Sequence, residues 1–386
     1  MTGKKTDLAI VNRTFWPRNQ VLGEALLQLA ERLASSRSVC VIAQSDSDLS
    51  DSMDAAGRGK KVRVMACRSF ADSSSGLIKR GFEVLYFMLW TMISLVRSRP
   101  AKVYVATDPP VLVPFIVFLY CKLFRAEYFY HLQDIHPEAA NIVVPLNRFI
   151  FGALKAVDNV TMRHANSLVT LCEDMKQYIL QRSGTKVPIF LLDNPSFYVE
   201  GLAEGARSQD VVFCGNAGRL QRIPMLLAAI RSYLDQGGRL SFTFVGAGLY
   251  GPKLQELANI YDGVTYLGYL PAEEAAAIVG QHRWALLPIE DEVTRYAFPS
   301  KSSSYVVSGC GVLAICGEQT SVARWVHQYN VGITCKPEHE ALIAGFHEIE
   351  KANVGDSCTR GDLLHKLEIG YFVQRLCDLL GFRLNV

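Results

Sequence analysis

The chain has 386 residues, which is too long for one ordinary domain and suits two α/β domains of moderate size. Hydrophobic residues make up 49% of it and charged residues 20%, a composition that excludes a protein built mainly of membrane-spanning helices. The net charge of +3 is too small to predict nucleic-acid binding, although it leaves open a basic face toward anionic lipid.

Cysteine usage and the first residues predict a compartment. The ten cysteines include no C-x-x-C pair and no spacing typical of metal ligands, which favours a reducing environment. The opening segment MTGKKTDLAI lacks the apolar run and cleavage site of a signal peptide. We therefore expect a cytoplasmic protein.

Short β-rich apolar runs alternate with longer helical patterns, which is typical of parallel sheets built from βαβ units. The first half contains seven predicted strands, at Leu8–Asn12, Val39–Ala43, Val62–Cys67, Val103–Ala106, Tyr128–His131, Leu168–Leu171 and Ile189–Leu192. Helices are predicted near Gly23–Ser35, Leu77–Arg97, Pro110–Phe124, Asn147–His164 and Glu173–Arg182. The polar, Ser- and Gly-rich segment Ser45–Lys61 is predicted to be a loop.

Two stretches of the first half, at positions 82–96 and 111–124, are unusually apolar. Each has about 15 residues, fewer than the roughly 20 that a membrane-spanning helix needs. Helices buried against a sheet would explain them, and so would helices that also touch a bilayer surface or a lipid-linked substrate. Basic residues flank both runs and suit the second interpretation: Arg97, Arg99, Lys102, Lys122 and Arg125.

After a predicted linker at 198–209, the pattern begins again. Strands are predicted at Val211–Cys214, Phe242–Val245, Val264–Tyr266, Trp284–Leu287 and Val312–Ile315. Four helices are predicted to begin at or near a proline, which presets φ and loses no hydrogen bond there: Pro224, Pro252, Pro271 and Pro299. The chain ends with a predicted helix over Leu363–Leu380.

This pattern predicts an α/β fold with two Rossmann-like domains that face a cleft. We assign 1–197 to an N-terminal domain and 198–365 to a C-terminal domain. Residues 366–386 form a helix that we expect to cross back to the first domain.

In doubly wound domains, ligands bind beyond the carboxyl ends of the strands. In the first domain, the loop after the first strand contains Arg13 and Arg18, which suit an acceptor or a phosphate. The loop HLQDIHPE at 131–138 places five polar or titratable residues within eight positions. We expect His131 and Asp134 to contact sugar hydroxyls or developing charge, and Glu138 to orient an acceptor. Too few ligands are present for a closed metal site.

In the second domain, the loop GNAGRLQR at 215–222 brings glycines and two arginines to a strand-to-helix turn. Glycine lets backbone amides approach a ligand, and a guanidinium matches phosphate. We predict a diphosphate contact that involves Gly218, Arg219, Gln221 and Arg222. A plain βα loop is the alternative interpretation.

Two further turns and one basic helix start complete the predicted donor site. Gly246 and Gly248, like Tyr269 and Leu270, lie in turns where backbone can approach a flat nucleobase. Lys301 lies in a first helical turn, where a cation is unfavourable unless an anion is also present. The amides from Ser300 to Ser302 would complete a pyrophosphate cradle.

These segments resemble retaining GT-B glycosyltransferases of the GT4-type group over nearly the whole chain. The resemblance is carried by HLQDIHPE, GNAGRLQ at 215–221, FVGAG at 244–248, YLGYLP at 266–271 and PSKSSSYVVSGCGVLAI at 299–315. The most similar subgroup comprises bacterial enzymes that build O-antigen, capsule or exopolysaccharide on polyprenyl diphosphate carriers.

The resemblance implies a UDP- or GDP-sugar donor in the C-terminal domain and a glycan or lipid-linked acceptor in the N-terminal domain. Transfer would retain the anomeric configuration and need neither a metal nor a cofactor. Arg219 and Lys301 would stabilise the leaving diphosphate, and His131 would lie near the transferred sugar. Phosphate and ribose contacts would come from Phe298, Pro299, Ser300 and Ser304. No nucleic acid is implied, and peripheral contact with the inner face of the plasma membrane is compatible with it.

One departure from the family pattern leaves alternatives open. The family's glutamate pair, spaced E-x7-E, falls on Tyr296 and Ser304, and Gly311 replaces the usual proline. A sugar-nucleotide epimerase of the same fold therefore remains an alternative, as does a non-catalytic sugar-nucleotide-binding subunit.

Overall fold

The computed structural model describes residues 6–71, 75–196, 207–352 and 360–382. The chain divides into two compact units, the first comprising Met1–Asp193 with Ile369–Val386 and the second Asn194–Glu368. The sequence pattern places these boundaries after residues 197 and 365. Most of the predicted linker, residues 197–206, lies outside the described residues.

The first unit contains a seven-stranded parallel sheet with the order β3-β2-β1-β4-β5-β6-β7. Its strands are β1 (Thr6–Thr14), β2 (Val39–Ser45), β3 (Arg63–Arg68), β4 (Pro100–Ala106), β5 (Glu127–Leu132), β6 (Ser167–Thr170) and β7 (Ile189–Leu191). All seven were predicted from apolar runs. Such runs are continuous, rather than alternating, because helices cover both faces of a parallel sheet.

Within the described part of the first unit, seven helices precede the C-terminal one. They are α1 (Leu22–Ala34), α2 (Leu49–Ala55), α3 (Leu77–Ser98), α4 (Leu112–Phe124), α5 (Glu138–Val143), α6 (Arg148–His164) and α7 (Glu173–Ser183). The loop predicted over Ser45–Lys61 is wrong in part, since it contains α2. The Asp48 carboxylate caps this helix by accepting from the Ser50 amide at 2.9 Å, and Leu49 and Met53 are buried. A capping aspartate and two apolar residues outweigh the polar composition.

The two apolar runs correspond to α3 and α4. Within the described residues, no helix is both long enough and apolar enough to cross a membrane. Neither run is fully buried, because Phe82 and Leu123 remain 64% and 74% exposed.

The chain ends in two helices, α14 (Arg360–Leu367) and α15 (Ile369–Leu379), rather than in the single helix predicted over Leu363–Leu380. The interruption lies at Glu368, next to the point where the Ser196 amide donates to the Leu367 carbonyl at 2.8 Å. Helix α14 belongs to the second unit. Helix α15 packs on α1, and its Phe372 and Leu376 join the core of the first unit.

The second unit contains a six-stranded parallel sheet with the order β10-β9-β8-β11-β12-β13. Its strands are β8 (Gln209–Cys214), β9 (Phe242–Val245), β10 (Val264–Tyr266), β11 (His282–Pro288), β12 (Gly311–Ile315) and β13 (Gly332–Cys335). Only β13 was not predicted. It is four residues long, begins with glycine and buries only Cys335, so its apolar signal is weak.

Helices α8 (Ile223–Asp235) and α9 (Gly251–Ile260) carry proline at their starts, as predicted. Pro271 caps α10 (Ala272–Gly280), and Pro299 lies two residues before α11 (Lys301–Val307). Helices α12 (Ser321–Gln328) and α13 (His339–Lys351) follow. Counted within the unit, the strand order is 3-2-1-4-5-6, the order of the doubly wound dinucleotide-binding fold.

Candidate active site

The strand order of the second unit reverses between β8 and β11. These two strands pair in parallel, so the loops that follow them leave the sheet at the same edge. Strand β9 pairs with β8 on its other side. Ligands of open α/β sheets bind at such a reversal. The loops after β8, β9 and β11, which contain most of the predicted donor residues, meet there.

Lys301 begins α11, and its side chain lies against the backbone at the end of β8. A Cβ atom added at Gly215, whose φ is +158°, would lie 2.8 Å from Lys301 Nζ. Glycine at 215 therefore makes room for the ammonium group. The Tyr305 hydroxyl fixes the helix in this position, because it donates to the Cys214 carbonyl at 3.1 Å and accepts from the Cys214 amide at 3.0 Å.

Arg219 lies at the same edge, in a single 3-10 turn over Arg219–Gln221 that directly follows Gly218. Its side chain is exposed, whereas Gln221 is half-buried with its Oε1 beside Gly218. Among the described residues, neither Arg219 nor Lys301 has a carboxylate within ion-pair distance. The edge therefore presents two cations without protein counter-ions.

The glycines of the predicted turns bring backbone segments into contact. A Cβ atom on Gly246 would lie 2.7 Å from the Gly215 carbonyl carbon, and one on Gly248 would lie 2.5 Å from Asn216 Oδ1. The Gly246 amide also donates to the Gly268 carbonyl at 2.5 Å. Side chains larger than hydrogen would separate these loops, so the glycines have a packing role whether or not a ligand is bound.

Arg222 does not fit its predicted role in donor binding. Its guanidinium pairs with Glu290 and Asp291, both at 3.0 Å, and donates to the Ile289 carbonyl at 2.8 Å. Asp291 also accepts from the Gly317 amide at 3.0 Å. Arg222 thus joins the loops after β8, β11 and β12, and its charge is already compensated.

The segment before α11 contributes fewer amides than predicted. The Ser302 amide donates to the Pro299 carbonyl at 3.1 Å, so it is not available to a phosphate. Ser300 is exposed at the N-cap, and the buried Phe298 packs edge-on against Trp325. The Ser304 hydroxyl accepts from Ser196 at 3.3 Å.

Tyr269 and Leu270 lie in the turn after β10. The Tyr269 side chain is 79% exposed, whereas Leu270 is half-buried. Gly311, at the position of the family's usual proline, has a structural explanation, since a Cβ atom there would lie 2.7 Å from the ring of Trp284.

In the first unit, the strand order reverses between β1 and β4. Arg13, at the end of β1, pairs with Asp108 at 3.1 Å, and the Thr14 amide donates to the same carboxylate at 2.7 Å. A cavity of about 230 Å³ opens beside this pair. It is lined by Arg13, Thr14, Arg18, Gln44, Ser69, Ala71, Arg80 and Glu83.

Sequence reasoning missed Asp108 and Arg80, although the segment TDPP directly after the fourth strand was a signal for Asp108. The polar residues of this cavity come from four separate segments, and only the sheet brings them together.

His131, the last but one residue of β5, is fully buried. Burial lowers its pKa to about 3, so the ring is neutral. Burial also raises the pKa of Tyr104, so its hydroxyl stays protonated, and it shares a hydrogen bond of 2.6 Å with His131 Nδ1. Its Nε2 atom is buried and has no hydrogen-bond partner within the described ranges. A buried polar atom without a hydrogen-bond partner is uncommon and needs a specific explanation.

Asp134 follows β5 and is half-buried, and burial raises the pKa of its carboxyl to about 6. The folded state therefore retains this proton at pH values where the unfolded chain has lost it, from about 4 to about 6. We expect the free energy of unfolding of wild type, relative to Asp134→Asn, to fall as the pH rises through this range. Urea unfolding of both proteins at several pH values measures it. A difference that does not change with pH would contradict the assignment.

Glu138 does not fit its predicted role as an acceptor contact. Its side chain is 4% exposed and pairs with Arg182 at 2.8 Å and with Lys155 at 3.3 Å. Arg182 is fully buried and also pairs with the buried Asp158. Glu138 belongs to a buried charge network that joins α5, α6 and α7. Glu138 was assigned to the acceptor because it lies in the polar loop 131–138, but its charge is already paired within the protein.

The described ranges contain no group of three or more His, Cys, Asp or Glu side chains arranged to bind a metal ion.

The chain is similar in sequence to one curated protein. No protein-family model matches the chain. It is 22% identical over 300 residues to the probable glycosyltransferase WbjE of Pseudomonas aeruginosa. The aligned region covers 72% of this chain and 74% of that protein.

Solved structures match over almost the full length. The sucrose-phosphate synthase of Thermosynechococcus elongatus superposes with a TM-score of 0.71 at 14% identity, covering 97% of this chain and 98% of the other. HepE of Anabaena, solved in complex with UDP, superposes with a TM-score of 0.65 at 13% identity, covering 97% and 99%. The two parallel sheets and these superpositions together show that the chain has the GT-B fold of glycosyltransferases.

Proposed function

We propose that this protein is a glycosyltransferase that moves a sugar from a UDP- or GDP-sugar to a glycan or polyprenyl-diphosphate-linked acceptor. The observation that carries the proposal is the pair of cations at the sheet reversal of the second unit. Arg219 and Lys301 lie beside a glycine-lined backbone and lack counter-ions among the described residues. A nucleoside diphosphate supplies the negative charge that such an arrangement needs.

The chemical step gains from these cations because the diphosphate becomes more negative as the glycosidic bond breaks. Cations fixed beforehand at the leaving group stabilise the transition state more than the ground state. In this proposal Arg219 and Lys301 take the part that a metal ion plays in other transferases. Transfer proceeds with retention at the anomeric carbon.

The second unit binds the donor. The complex of HepE with UDP supports a uridine donor, and the glycosyltransferase name of WbjE supports the reaction class. Gly218, Gln221, Gly246 and Gly248 bound the diphosphate, with Ser300 at the N-cap of α11. Tyr269 and Leu270 lie near the nucleobase, and Ser304 donates one hydrogen bond to the ribose in place of the family's glutamate.

The first unit binds the acceptor. Arg13 and Arg18 line the cavity beside β1 and β4, which suits an anionic or polyhydroxylated group. Asp134 offers a carboxylate above pH 6. His131 is fully buried, so in this proposal it supports the loop that carries Asp134 rather than touching the acceptor. The reaction belongs to bacterial cell-surface polysaccharide synthesis, at the cytoplasmic side of the plasma membrane.

The residues at the positions of the glutamate pair favour a second candidate. Ser304 hydrogen bonds to Ser196, and neither it nor Tyr296 supplies a carboxylate. A sugar-nucleotide-binding subunit without transferase activity would also tolerate this change.

One assay separates the candidate functions. The protein is incubated with radiolabelled UDP- and GDP-sugars, with and without polyprenyl-diphosphate-linked saccharides, and the lipid and nucleotide fractions are analysed. We expect label in the lipid fraction only when acceptor is present, together with release of UDP or GDP. An altered sugar formed from donor alone would instead identify an epimerase. Tight nucleotide binding without either product would identify a binding subunit.

A further inference from the structure

Helix α3 has an apolar face that no part of the described chain covers. Its inner face is buried against the sheet and includes Glu83, Phe87 and Thr91. On the opposite face, apolar side chains recur at intervals of three or four residues, so they form one stripe along the helix. They are 37–79% exposed and comprise Ile78, Phe82, Leu85, Leu89, Ile93 and Val96. At 1.5 Å per residue, the stripe is about 27 Å long.

The neighbouring helix α4 also exposes apolar side chains. Helices α3 and α4 pack together, and α4 exposes Leu119, Leu123 and Phe124. A single exposed leucine needs no explanation, but nine exposed apolar side chains on two helices that pack together indicate an interaction site.

The charges around this surface have one sign. Residues 77–126 contain seven Lys or Arg side chains and two carboxylates, and the next residue, Glu127, pairs with Lys102 at 3.7 Å. Glu83 is buried and accepts from the amides of Phe70 and Ala71, and Asp108 pairs with Arg13. Neither carboxylate neutralises the outer face. The cations lie at the ends of the apolar stretches, with Lys79 at the start of α3, Arg97 at its end and Lys122 at the end of α4.

This charge pattern decides between a second copy of the chain and a lipid surface. Two copies paired through α3 would place cations beside cations whether the helices ran parallel or antiparallel. Anionic head groups would neutralise the same cations, while acyl chains would accept the apolar stripe. We propose that the outer face of α3 and α4 docks on an anionic phospholipid bilayer, with α3 lying in the plane of the membrane.

The inner face of α3 favours this orientation over insertion. It carries Glu83, Thr91, Ser94 and Ser98, all buried against protein. A helix with one polar, protein-facing side and one apolar, exposed side lies on a membrane. The proposal extends the proposed function, since a docked protein would meet a lipid-linked acceptor at the bilayer, but docking does not depend on sugar transfer.

Flotation of the full-length protein with lipid vesicles tests the proposal. We expect it to float with vesicles of phosphatidylglycerol and phosphatidylcholine, less with phosphatidylcholine alone, and less at high salt because the cations are then screened. The double variant Phe82→Ser/Leu89→Ser should lower the partition coefficient by about tenfold or more, since each side chain contributes apolar area. These residues are exposed, so the fold should tolerate both changes.

A control carries a change of the same kind at an exposed apolar residue of the second unit away from the loops assigned to the donor, as Ile260→Ser at the end of α9. It should float like wild type, and UDP binding measured by calorimetry should be equal in all three proteins if the proposed function is correct. Equal flotation of wild type and Phe82→Ser/Leu89→Ser would overturn the proposal. So would a concentration-dependent dimer, seen by sedimentation, that this variant abolishes.

Discussion

Lys301→Ala should lower kcat/KM for sugar transfer by about 10²–10³-fold, the loss expected when one fixed charge partner of a transition state is removed. The ammonium group of Lys301 lies at the end of β8 and has no carboxylate partner in the described part of the chain. It is therefore available to a diphosphate that gains charge as the glycosidic bond breaks. Steady-state kinetics of wild type and Lys301→Ala with the same donor and acceptor measure the loss.

Two further variants separate the position of this charge from the charge itself. Lys336→Ala is the control, since Lys336 is exposed in the same unit and pairs with the exposed Glu318 at 3.6 Å. It should retain activity. Gly215→Ala retains Lys301 but places a methyl group against its side chain, so it should also lose most activity. Near-normal turnover of Lys301→Ala would remove the leaving-group role.

Arg182→Ala should lower the free energy of unfolding by about 3–5 kcal/mol, because removing one partner of a buried ion pair leaves an uncompensated charge. Arg182 is fully buried between Glu138 and Asp158, which are 4% and 0% exposed. Its removal leaves two buried carboxylates without their main cation. Urea unfolding of both proteins at neutral pH measures the difference.

Lys155→Ala is the matched control for this network. Lys155 also pairs with Glu138, but it is 35% exposed, so its loss should cost about 1 kcal/mol or less. If Arg182→Ala were as stable as wild type, the network would not stabilise the first unit, and Glu138 would again be a candidate for acceptor binding.

The sequence was most informative where one physical effect acts alone. Apolar runs located all seven strands of the first sheet because both faces of that sheet are buried. Prolines located the starts of α8 and α9 because a fixed φ is favourable in a first turn. These local signals were enough to predict two Rossmann-like domains with parallel sheets, and the resemblance of the loop motifs implied the GT-B fold.

Predictions were poorer where tertiary packing decides. The apolar run of α3 left burial and a bilayer-facing side both open, because hydrophobicity alone does not show which face of a helix is covered; the structure leaves six apolar side chains of α3 37–79% exposed. Helix α2 was hidden by a polar composition that its cap at Asp48 outweighs. Arg222 and Glu138 lie within polar loops, but ion pairs with residues distant in sequence occupy both.

In the candidate site, too, local features could be predicted from the sequence and contacts between distant segments could not. Lys301 was predicted from a cation in the first turn of a helix, a local anomaly. Its contact with Gly215 could not be predicted, because it depends on β8 and β11 being neighbours in the sheet. The buried Nε2 of His131 likewise depends on Tyr104, which lies on the adjacent strand.

Calorimetric binding of UDP and UMP, with GDP and GMP in parallel, tests the central claim most directly. If Arg219 and Lys301 bind a diphosphate, the preferred diphosphate should bind about tenfold or more tightly than its monophosphate, and Lys301→Ala should remove most of that difference. Equal affinity of wild type for both nucleotides, or an unchanged ratio in Lys301→Ala and Arg219→Ala, would contradict the account.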